Sequence, residues 1–78
     1  MQATEPFTAT GIELTKDALV VVVGERRVRI PWGRCSKRLA AATELERLDA
    51  ELSPGGYGIH WPLIDEDLSV NGLLKKHD

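Results

Sequence analysis

Cysteine occurs once in the 78 residues, as Cys35, so no internal disulfide framework can form and no cysteine-based zinc cluster can assemble. Hydrophobic packing must hold the chain together. Aromatic residues are scarce at 5%, and two Trp, one Tyr and one Phe are too few for a platform that stacks single-stranded nucleic acid. Long apolar runs are missing as well. The longest, Ala18 to Val23, falls far short of the roughly 20 residues that span a bilayer, and no basic stretch leading into an apolar one opens the chain. The sequence therefore reads as cytoplasmic, with no membrane partner. Nor does one sign of charge dominate, since 10 Lys and Arg stand against 12 Asp and Glu.

What is present is ordinary globular composition, 42% hydrophobic and 28% charged, unlike that of chains that stay disordered. Residues 1–6 lack apolar periodicity and are taken as a flexible lead-in, leaving residues 7–76 as a single α+β domain. A domain this small buries only about two thirds of the surface its unfolded chain exposes, so it gains from a partner, and a homodimer is compatible with that.

Residues 9–15 mix polar and apolar positions, Lys16-Asp17 supplies turn chemistry, and the β-branched run Ala18 to Val23 follows as a strand. Gly24-Glu25 suits a two-residue hairpin, because glycine takes the positive φ needed there, and Arg26 to Ile30 completes a three-stranded antiparallel meander. In that third strand Val28 and Ile30 share one face and Arg27 and Arg29 the other. Pro31 should end the strand, with Trp32 closing over the edge of the core.

The period then changes. Cys35, Leu39 and Ala42 lie on one face of a short helix. Thr43-Glu44-Leu45-Glu46 has capping-box spacing, and Leu45, Leu48 and Leu52 form the apolar stripe of a second helix, with Glu44, Arg47 and Glu51 facing water. Ser53-Pro54-Gly55-Gly56 stops it, Tyr57 to Trp61 reads as a further short strand, and Ser69 caps a last helical turn or two through Leu73 and Leu74. The expected order is βββααβα.

The string Arg38 to Thr43, Glu46-Arg47, Gly56 to Pro62, Ile64 to Val70 and Gly72 to Leu74 resembles the bacterial domain of unknown function 2442, and with the upstream hairpin the likeness covers roughly residues 8–75. The resemblance implies a small α+β domain. Longer members add a C-terminal helix-turn-helix domain that this chain, ending at Asp78, does not show, so their DNA-binding role is not carried over. Short members often lie beside a second small protein in an arrangement that looks like a toxin–antitoxin pair, which would make this domain the antitoxin. No catalytic residues come with the resemblance.

The residues themselves offer little chemistry. His60 with Asp65, Glu66 and Asp67 could bind a metal or share a proton, but the spacing is not diagnostic, and His60 should point away from Ile59 and Trp61, out of the core. Carboxylates ahead of a helix are already explained by its dipole. Cys35 reads as a core thiol, with Arg34 and Lys37 giving weak support to a nucleophile, and no nucleophile elbow or phosphate loop is present. The expectation is a non-enzymatic domain with no cofactor and no metal.

Charge segregation carries most of the functional signal. Six of the ten basic residues fall within positions 26–38 and seven of the twelve acids within 44–67. The acidic set, Glu44, Asp49, Glu51, Asp65, Glu66 and Asp67, together with the conspicuous Tyr57, His60 and Trp61, is the expected contact surface for a small basic protein encoded nearby. The alternative is a nucleic-acid-binding accessory protein using Arg27, Arg29, Arg34, Lys37 and Arg38.

Overall fold

A computed structural model describes residues 8–77. The expected lead-in at residues 1–6 lies outside the described residues. Three strands, β1 (Gly11–Leu14), β2 (Ala18–Val23) and β3 (Arg26–Pro31), form an antiparallel sheet in chain order. Its first turn is held by Thr15, whose hydroxyl accepts from the Ala18 backbone N–H at 2.9 Å, and its second by Gly24 at φ 60°. The register places Leu14, Leu19 and Ile30 in one inward row and Glu13, Val20 and Arg29 in one outward row. The meander and its cationic outer face are as the alternation predicts.

The helical middle is more broken than the periodicity predicts. Helix α1 (Trp32–Cys35) ends at Ser36, which is extended, and the Ser36 hydroxyl then accepts from the Leu39 N–H to start α2 (Lys37–Ala40). One predicted helix is therefore two single turns. The capping box at Thr43 forms in full, with the Thr43 hydroxyl accepting from the Glu46 N–H and the Glu46 carboxylate from the Thr43 N–H. Yet α3 (Glu44–Arg47) stops after one turn. Glu51 and Leu52, expected at its end, instead form β4 (Glu51–Leu52). A single turn buries no stripe, and Leu45 and Leu48 lie exposed.

The strand expected at Tyr57 to Trp61 forms, but as the middle of a second sheet that the periodicity does not predict. Strand β4 pairs with β5 (Gly58–Trp61), and β5 with β6 (Glu66–Ser69), all antiparallel. Glu66 and Asp67 thus belong to a strand rather than to an acidic loop. The Ser69 hydroxyl accepts from the Gly72 N–H at 3.0 Å and caps α4 (Val70–His77) as expected. A 3-10 turn at Pro54–Gly56 joins β4 to β5, with Gly55 and Gly56 both at positive φ.

One core serves both sheets. It joins Leu19, Val21 and Ile30 to Trp32, Cys35 and Leu39, to Ile59 and Trp61, and to Val70, Leu73 and Leu74. Trp32 and Trp61 meet edge to face at its centre, ring centroids 6.2 Å apart, an arrangement aromatic quadrupoles favour. Each indole N–H donates to a backbone carbonyl, Trp32 to Thr15 and Trp61 to Arg47, so neither buried ring leaves a donor unmet. Among the described residues no helix is long and apolar enough to cross a membrane.

Candidate functional site

The outer face of the second sheet collects the histidine and two of the acids. Register places Glu51 opposite His60 and His60 opposite Asp67, so the three form one row across β4, β5 and β6. Directly opposed side chains share a face. His60 Nδ1 lies 2.8 Å from Asp67 Oδ1, an ion pair whenever the imidazole is protonated. Ile59 and Trp61, flanking His60, are buried as alternation requires. Among the described residues no group of three His, Cys, Asp or Glu is placed to hold a metal ion.

Trp61 was expected among the contact residues, and the structure corrects this: it is wholly buried, its indole spent on the core and on the Arg47 carbonyl. Tyr57 remains available at 57% exposure. Of the other acids, Glu44, Asp49 and Asp65 are exposed and Glu66 is half-buried.

Three links tie α2, α3 and the turn after β5 into one end of the molecule. The Arg38 guanidinium donates to the carbonyls of Ile64 and Asp65, both at 3.1 Å. Arg47 donates from Nε to Leu39 O and from Nη2 to Ala40 O, at 2.9 and 3.0 Å. Trp61 closes the third link to Arg47 O at 3.1 Å. Arg47, expected to face water, therefore turns inward, and its guanidinium carbon stands 5.9 Å from the Trp32 ring centroid. This end carries the large apolar side chains that sequence reasoning placed in the core or passed over: Leu45 is 75% exposed, Leu63 54% and Leu48 40%. Glu44, Asp49 and Asp65 lie beside them in the chain. A capped helix start is visible in sequence, but the early stop that leaves Leu45 outside carries no Gly or Pro to mark it.

The five cations of the nucleic-acid reading do not form one patch. Arg27 pairs with Glu13 across the outer face of the first sheet, and Arg29 shares that face, whereas α1 and α2 pack on the other side. Arg38 is committed to the two carbonyls of the turn. Arg34 and Lys37 line a concavity with Gly33, Ser36 and Lys76 of α4. Lys76 was not among the expected residues, and its approach to residues 33–37 depends wholly on how α4 packs.

Cys35, the last residue of α1, is buried in the core with its sulfur 3.6 Å from the Pro31 carbonyl oxygen. Burial pushes its thiol up to about 11, against the lesser opposing pull of Arg47 and Lys76. A thiol so placed stays protonated near neutral pH and is a poor nucleophile.

The family described as "Protein of unknown function (DUF2442)" matches residues 9–77. The chain belongs to that family. The chain is also similar to a crystal structure of a protein of unknown function from Rhodospirillum rubrum ATCC 11170, 26% identical, with a TM-score of 0.78, covering 94% of this chain and 89% of that one. No curated protein matches the chain. The matched residues span both sheets and the helices described above, and the DUF2442 description brings no activity with it.

Proposed function

We propose that this DUF2442 domain is a non-enzymatic protein-binding module whose contact surface is the acidic, leucine-bearing end formed by α3 and the turn at residues 62–65. The observation that carries this reading is the exposure of Leu45, Leu48 and Leu63 next to Glu44, Asp49 and Asp65. Exposed apolar side chains with carboxylates beside them in the chain suit a partner with an apolar anchor and a basic surround. Glu51 and Asp67, flanking His60 on the second sheet, extend the negative surface, with Tyr57 exposed nearby in the chain. The family resemblance suggests the concrete partner, a small basic toxin encoded next to this chain, with the domain acting as its antitoxin.

The enclosed Cys35, its thiol pushed up by burial, speaks against a cysteine nucleophile in this reading. Nucleic-acid binding has less support, because Arg27 and Arg38 are engaged within the molecule and the five expected cations lie on two sides of the first sheet.

Co-expression with the neighbouring gene product, followed by size exclusion, tests the proposal. Co-elution and relief of toxicity are expected, and Leu45→Asp together with Leu63→Asp should abolish both while the domain stays folded. Failure of the wild-type pair to co-elute, with toxicity unrelieved, would remove the antitoxin reading. A salt-sensitive gel shift of DNA or RNA by the isolated domain would favour the alternative.

A further inference from the structure

On the α4 side of the molecule two adjoining hollows share Lys76. The first, about 180 Å³, is lined by Cys35, Leu68, Gly72 and Leu73 with Ser69 at its margin. The second, about 400 Å³, is lined by Gly33, Arg34, Ser36 and Lys37. Cys35 of the first and Ser36 of the second are consecutive, and Lys76 borders both, so the two hollows are neighbours. Together they make an open surface groove with an apolar end and a cationic end.

Gly72 lines the apolar end. It occupies the third position of an eight-residue helix, where glycine weakens the helix relative to alanine. A Cβ there would meet nothing closer than Ser69 at 3.6 Å, an ordinary contact, and no positive φ demands a glycine. Neither packing nor backbone conformation accounts for the missing side chain. What its absence does is leave the apolar end open.

We infer that this groove binds a small phosphomonoester carried on an apolar or planar body, with the body against Leu68, Gly72 and Leu73 and the phosphate between Lys37 and Lys76. Two lysines match a dianion better than a single carboxylate, and the Ser36 side chain already serves α2, so recognition falls to Lys37 and Lys76. The site is separate from the acidic end and stands or falls independently of the protein-binding proposal.

Amide NMR titration of the full chain at low salt tests it, with phenyl phosphate, inorganic phosphate and phenol as probes. Phenyl phosphate should shift resonances at both ends of the groove, Gly33 to Lys37 and Leu68 to Leu73, and should bind about tenfold more tightly than inorganic phosphate. Lys37→Ala and Lys76→Ala should each weaken it about two- to fivefold. Gly72→Leu should erase the preference for phenyl phosphate and leave inorganic phosphate unaffected, with Gly72→Ala as a folded control. Equal binding of the two phosphates, shifts confined to residues 33–37, or indifference to both lysine substitutions would overturn the inference. So would tighter binding at the same residues by a short oligonucleotide without a terminal phosphate, which would reassign the groove to nucleic-acid backbone.

Discussion

Each of the two sheets has three antiparallel strands, and they are held together by different means. In the first, strands of four to six residues follow one another through tight turns, and every pairing joins neighbours in the chain. In the second, strands of two to four residues are separated by a five-residue glycine-bearing turn and a four-residue reversal, and the sheet leans on groups outside it. Gly56 O accepts from the Ala9 N–H at 2.7 Å, Tyr57 O from the Val70 N–H at 2.9 Å, and Trp61 is anchored to Arg47. A two-stranded or very short sheet has little independent stability in water. The first sheet should therefore behave as the folding scaffold and the second as a structure assembled on it, although both carry parts of the functional surface.

The sharpest way to break this dependence is at Gly56. Its φ of 76° already disfavours any other residue, and a Cβ would stand 2.0 Å from the Ala9 carbonyl oxygen, a backbone atom that cannot swing aside. Gly56→Ala should cost about 4 kcal/mol, close to the whole stability of a weakly stable domain this size, about 4 to 12 kcal/mol. Chemical denaturation followed by tryptophan fluorescence reads the loss. A variant as stable as the parent would show that the junction between Ala9 and the second sheet is dispensable.

Arg47 comes next. Its guanidinium caps two carbonyls at the end of α2, lies against Trp32 and holds the backbone to which Trp61 donates. Charge-assisted hydrogen bonds and a partly desolvated cation–π contact together make a loss of about 2 to 3 kcal/mol the expected result of Arg47→Met. Arg47→Lys should recover less than half, because a point charge cannot reproduce the fork. If lysine restores full stability, charge alone matters there and the linked end described above is looser than its geometry indicates.

The same contrast explains what could be read in advance. The meander was legible because its signals are local: a β-branched run, Lys16-Asp17 and Gly24-Glu25 at the turns, and alternation that sends Arg27 and Arg29 outward. The caps at Thr43 and Ser69 were legible for the same reason. Strands β4 and β6 were not, because Glu51-Leu52 continues a plausible helical stripe and Glu66-Asp67 has low strand propensity, so only pairing with β5 makes either extended. Exposure at Leu45 and the convergence of Lys76 on residues 33–37 were hidden for the related reason that each depends on where a distant element packs. The row Glu51, His60 and Asp67 sits between these cases: the residues stood out, and the strand register that aligns them did not.

The smallest effect is expected on the first sheet, where the Glu13 and Arg27 side chains form a bidentate pair diagonally across β2. Both are substantially exposed, at 43% and 60%, so water and salt screen the attraction and holding two long side chains in one geometry offsets part of it. A double-mutant cycle with Glu13→Gln and Arg27→Met should give a coupling of about 0.2 to 1 kcal/mol in low salt, fading toward zero in high salt. The strand pairing beneath it is unchanged by either substitution, since each backbone partner remains in register. A coupling above 2 kcal/mol, comparable with the loss at Arg47, would mean that the first sheet also depends on side-chain clamps and would erase the distinction between a self-sufficient scaffold and a dependent second sheet.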